Sequence, residues 1–137
     1  MAKSEKQKLK LLYIIQCLME KTDEEHAVTT QEIIDYLALQ GITAERKSIY
    51  TDIDLLIDFG MDIIKKPGRS GGYTLASRQF ELAELKLLVD AVQSSKFITT
   101  KKSRELIGKL ETLCSKYEAT QLHRQVVVTN RNKAINE

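Results

Sequence analysis

The sequence predicts a mainly α-helical protein with one small β-hairpin, and three observations carry the prediction. Apolar residues recur at three- and four-residue spacing in successive segments between residues 5 and 117. Glycines fall where two of those segments stop, at Gly41 and Gly60. The stretch "KKPGRSGGYTL" (65–75) holds three of the six glycines and the only proline, beside three positive charges. A length of 137 residues allows one domain, or one small domain with an appendage. With 42% hydrophobic and 29% charged residues the chain has ordinary globular composition and can bury a core.

The first element is a helix over 5–21, apolar at Leu11, Ile14, Ile15, Leu18 and Met19. Its lysines precede an apolar run, as in a secretion signal. Gln16 interrupts the run, however, and "EKTDEE" follows instead of a small-residue cleavage site, so the reading is a cytoplasmic amphipathic helix. No segment approaches the roughly 18 apolar residues of a membrane span. The second helix, "TTQEIIDYLALQG", opens on a capping box, Thr29 with Glu32, and buries Ile33, Ile34, Leu37 and Ala38 before Gly41. The third follows after a short glycine-containing joint. Thr43 is its expected N-cap, Ile49, Ile53 and Leu56 its buried stripe, and Gly60 its stop. Two helices so joined form a helix-turn-helix.

The third helix has an informative outer face. With Ile49 inward, and about 100° per residue, Lys47, Thr51, Asp54 and Asp58 point most nearly outward. Tyr50 and Ser48 flank that line, and Arg46 lies nearer the core edge. Cations and small hydrogen-bonding groups occupy the first turns, whereas the carboxylates come later. A helix entering a DNA groove by its N-terminal end needs that polarity. A solvated face of mixed charge has the same pattern.

After Gly60 the period shortens. "MDIIKK" and "GYTL" flank "PGRSG" as a β-hairpin, whose tip projects Lys65, Lys66 and Arg69. The loop lacks the Lys-Ser/Thr ending of a phosphate-binding loop and joins strand to strand, which argues against a nucleotide cradle. A bare turn is the plain alternative. Coming after a helix-turn-helix, a basic hairpin reads as a wing, giving a winged helix-turn-helix over 1–78. Thr30 and Ser70 complete the candidate DNA-facing set.

Two further helices are expected within 79–120, as an antiparallel hairpin. Thr99 or Thr100 caps the second of them. Leu82, Leu85, Leu88, Val89 and Val92 line one helix, and Leu106, Ile107, Leu110, Leu113, Cys114 and Tyr117 the other. That is more apolar face than a small winged helix covers, and each exposed Leu forfeits roughly 1.5–3 kcal/mol. A homodimer seam of Leu85, Leu88, Val92, Leu106, Leu110 and Leu113 is therefore expected. A self-contained subdomain of a monomer is the alternative. Residues 121–137 are expected to be a tail.

Charge is divided unevenly. Residues 1–77 carry ten Lys and Arg against twelve Asp and Glu, a net of −2, and residues 78–137 carry eleven against seven, a net of +4. DNA binding by the first part must rest on local patches: Lys3, Lys6, Lys8 and Lys10, the Arg46–Lys47 pair, and the wing. Cys17 and Cys114 lie inside helical apolar patterns without ligand spacing, and His26 and His123 sit in polar surroundings, so no metal and no cofactor is expected. No nucleophile–base pairing or nucleotide loop suggests an enzyme.

The run "GITAERKSIYTDIDLLIDFGMDIIKKPGRSGGYTLASRQFELAELKLLVDAVQSSKFITTKKSRELIGKL" resembles the N-terminal half of the bacterial WYL-domain transcription regulators, which have a DeoR-like winged helix, a helical linker and a WYL sensor domain. The specific parts are "ERKSIYTDI", "GRSGGY" and "FELAELKLLVDAVQSSKF". The resemblance implies that residues 44–59 form the DNA-recognition helix, that Arg46, Lys47, Ser48, Tyr50 and Thr51 face double-stranded DNA, and that Arg69 marks the wing tip. The chain contains no tryptophan, and "HRQVVVTNRNKAINE" resembles the entry into the sensor domain, with "QVVV" as its first strand. A truncated chain or a shortened gene product is thus expected, with any effector belonging to the missing WYL domain. A protein- or RNA-interaction module without DNA specificity is the competing reading.

Overall fold

A computed structural model describes residues 2–68 and 71–129. These form six helices and one two-stranded antiparallel hairpin, the expected mainly helical class. The chain divides into two compact units, Met1–Ser77 and Arg78–Glu137.

The first unit runs α1 (Ala2–Lys21), α2 (Thr30–Leu39), α3 (Arg46–Phe59), β1 (Ile63–Lys66) and β2 (Gly72–Leu75). Its core gathers Ile14, Cys17 and Leu18 of α1, Ile33, Tyr36 and Leu37 of α2, Ile49, Ile53 and Leu56 of α3, and Ile63, Tyr73 and Leu75 of the hairpin. The α2 stripe is rotated from its expected position. Ala38 is exposed, and Tyr36 takes its place inside, where its hydroxyl donates to Glu20 (3.1 Å) and accepts from Gln16 (2.9 Å).

Local signals set most boundaries. Thr29 and Glu32 form the capping box in both directions. Gly41 and Gly60 sit at φ +79° and +121°, beyond the ends of α2 and α3. The start of α3 corrects the sequence reading, because its N-cap is Glu45 and not Thr43, and Glu45 makes no side-chain cap bond. Ile42 is buried and Ala44 packs on the core, which holds residues 42–44 outside the helix and delays its start.

The hairpin pairs Ile63 with Leu75 through Lys66 with Gly72. A further bridge joins Val28 to Tyr73, with backbone bonds of 3.0 and 2.7 Å in the two directions. The segment between α1 and α2 thus adds a one-residue third strand, which stabilises a two-stranded sheet that is marginal alone. This explains one of the clustered glycines: a Cβ on Gly72 would run into the Val28 carbonyl. Thr22 completes the seam by accepting from the Leu75 amide (3.0 Å) and donating to the Leu18 carbonyl (2.6 Å).

The second unit is a bundle of α4 (Leu82–Ser94), α5 (Thr100–Glu111) and α6 (Lys116–Thr129). Thr99 caps α5, as expected, by accepting from the Lys102 amide (3.1 Å). Two expectations fail here. The segment 103–117 is not one helix: α5 stops at Glu111, and Ser115 restarts the chain by accepting from the Glu118 amide (3.1 Å). Residues 121–129 are not a tail, and "QVVV" is not a strand, since all of it lies in α6. Gln125 donates to the Lys86 carbonyl (3.1 Å) and Gln93 to that of Val126 (3.3 Å), which ties α6 to α4. The rest of the expected tail, residues 130–137, lies outside the described residues.

This third helix changes the fate of the expected dimer seam. Leu85 is fully buried with Val89, Ile107, Cys114 and Leu122, and Val92, Leu110 and Leu113 pack against that cluster. Of the six seam residues only Leu88 (37%) and Leu106 (38%) remain exposed. α6 of the same chain thus covers part of the apolar surplus that suggested a partner chain, while Leu87 and Phe97 join Leu88 and Leu106 on the surface.

Candidate nucleic-acid interface

The N-terminal half of α3 is held by a polar anchor beneath it. Lys10 of α1 is only 8% exposed. Its ammonium donates to the Ser48 hydroxyl (2.8 Å) and lies 2.8 Å from the Asp52 carboxylate. That Asp52 oxygen meets Lys10 as an ion pair, without the alignment of a hydrogen bond. Ser48 in turn donates to the Glu45 carbonyl (2.8 Å). A buried charge is tolerated only beside its counter-charge, so Lys10 and Asp52 fix α1 and α3 in one register. Lys10 is therefore a structural cation and not part of a DNA-facing patch. Ser48 likewise spends its hydroxyl within the fold. Both corrections have the same cause, since residues 38 and 42 positions apart in sequence meet only once the helices pack.

Above the anchor, Arg46, Lys47, Tyr50, Thr51 and Asp54 are exposed. Arg46 reaches the Gln31 side chain at 3.5 Å, the weak limit of a hydrogen bond. Thr51 turns its hydroxyl onto the Lys47 carbonyl (3.2 Å). Lys47 has no carboxylate partner among the described residues.

The wing lies beside this helix. Lys65 of β1 donates to Asp54 Oδ1 at 2.8 Å, and both side chains are exposed. That hydrogen bond, with the Asp54 charge behind it, raises the Lys65 pKa and keeps the ammonium charged. The two elements the sequence nominated thus adjoin, although Lys65 has a carboxylate partner already. Lys66, across from Gly72, is exposed and without a carboxylate partner among the described residues. Arg69 and Ser70 lie outside the described residues. Thr30 is a correction: it is buried, and its hydroxyl meets the Tyr73 hydroxyl at 3.3 Å, because α2 turns that edge toward β2. Lys6 and Lys8 are exposed on α1. Nothing in the local pattern around Lys10 or Lys65 announces their carboxylates. The Ser115–Glu118 spacing, by contrast, is a helix-start signal that sequence reading passed over.

The family model described as FokI, D3 domain, a winged-helix-like DNA-binding domain, matches residues 12–68. The match runs from α1 through α3 into the wing, less than half of the 137 residues, and suggests a DNA-binding module. No curated protein and no solved structure matches the chain. No helix among the described residues is long and apolar enough to cross a membrane.

Proposed function

We propose that this chain is a sequence-specific, double-stranded DNA-binding module of a transcription regulator. The N-terminal turns of α3 enter the major groove, and the wing meets backbone or minor groove. The observation that carries the reading is the adjacency of β1 and α3 through Lys65 and Asp54, which sets the basic wing beside the helix that carries Lys47. The match to a winged-helix-like DNA-binding domain supports it. The regulatory role rests on the likeness to WYL regulators, and a cytoplasmic site of action on the amphipathic pattern of the N-terminal helix. Pairing of two copies through Leu88 and Leu106, which would set half-sites roughly 34 Å apart, belongs to the same reading. Catalysis does not.

Titration with promoter and random duplexes at two salt concentrations tests it. Lys47→Ala and Lys66→Ala should each weaken binding, and each lost phosphate contact should lower the salt slope by about 0.9. Unchanged affinity in both variants sinks the reading.

One observation favours the protein-interaction alternative. The later turns of α3 expose Leu55 and Phe59 together with Asp54 and Asp58, a mixture suited to another protein and unsuited to phosphates. Loss of a protein partner with Phe59→Ser, while duplex binding is intact or absent, would support that use.

A further inference from the structure

Asp54 is out of place on a DNA-reading helix unless its charge is managed, and the structure manages it. The residue points outward, one turn beyond Tyr50 and Thr51. Its Oδ1 accepts from Lys65 at 2.8 Å. Its other oxygen, Oδ2, has no partner among the described residues. The ion pair offsets part of the carboxylate's repulsion from phosphates, orients it from the wing, and leaves one acceptor open. Asp58, one turn further along the same face, has no such cation among the described residues.

An acceptor-only group in the major groove can be satisfied only by an amino group, cytosine N4 or adenine N6. Adenine places its N7 acceptor beside N6, which repels a carboxylate, whereas cytosine presents its N4 donor on a base edge without that acceptor. Resting on the DNA reading above, we infer that Asp54 is a specificity-determining residue that accepts a hydrogen bond from cytosine N4, with Lys65 as its positioning residue. The wing therefore contributes to base reading through α3 as well as touching backbone.

Selection from a randomised duplex pool tests this with the full chain. The wild type should show a cytosine preference at one position. Asp54→Ala should reduce that preference roughly tenfold and leave the other positions unaltered. Asp54→Asn should move the position toward adenine, whose N6 and N7 suit an amide. Lys65→Met should blur the same position. Asp58→Asn is the control, raising affinity for all duplexes alike. If Asp54→Ala instead raises affinity uniformly with every base preference retained, Asp54 is merely a repulsive carboxylate and this inference is overturned alone. Failure of the wild type to bind any duplex overturns the DNA reading and this inference with it. Asp54 is exposed, so unchanged circular dichroism should confirm that each variant is folded.

Discussion

The two units solve the same packing problem with different chemistry. Met1–Ser77 builds a charge into its interior, since Lys10 and Asp52 meet beneath α3, and it stitches its sheet with Thr22 and Val28. Arg78–Glu137 closes an apolar centre of Leu85, Val89, Ile107, Cys114 and Leu122, and the buried polar side chains among its described residues are the uncharged Thr100, Ser103 and Ser115. A hydrophobic contact is non-directional and tolerates small slips. An ion pair with a hydroxyl below it does not, so it suits the unit whose α3 must present a fixed face.

That contrast can be broken most severely at Lys10. Lys10→Ala leaves Asp52 without its counter-charge in a nearly buried site, and should cost about 3–5 kcal/mol in chemical denaturation. Lys10→Met with Asp52→Leu should recover most of the loss while weakening DNA affinity, if the pair serves placement more than stability. In the second unit, Leu85→Ala should cost about 2–5 kcal/mol independently of protein concentration. Leu88→Ala should change monomer stability by less than about 0.5 kcal/mol. A concentration-dependent loss at Leu88 would support the pairing proposed through it.

Alkali should act next, and on the first unit more than the second. Burial, ahead of the nearby Glu20, pushes Tyr36 up from 10.0 to about 12, and burial pushes Cys17 up from 9.0 to about 11. Both groups are neutral in the fold and ionise more readily when unfolded. The stability they contribute is complete below pH 9.0 and declines as pH rises toward about 12. The loss should be on the order of 2 kcal/mol for each, and Tyr36→Phe should flatten part of the alkaline slope in melting experiments. Ser115→Ala, which removes the cap of α6, should cost about 1 kcal/mol. Lys65→Ala should cost less than about 1 kcal/mol of stability, because its pair with Asp54 is exposed.

Much of the candidate site was legible because it depends on neighbours in sequence. The Thr29–Glu32 capping box, the stops at Gly41 and Gly60, the stripe of Ile49, Ile53 and Leu56, and the hairpin around "PGRSGG" each encode themselves within a few residues. The failures share the opposite property. Thr30 looks solvent-facing until Tyr73 arrives beside it, and Lys10 looks like a surface lysine until Asp52 does. Leu85 looks like a dimer contact until α6 covers it. Thr43 loses the cap because Ile42 and Ala44 are worth more against the core than a longer helix is.

Sequence alone was sufficient for the helical segments, the basic hairpin and their order, since propensity, capping and period act over one or two turns. Only the folded chain could decide which cations remain available, because Lys10 and Lys65 find their carboxylates 42 and 11 residues away in α3. Coulombic attraction depends on distance through space, and that distance is set by packing.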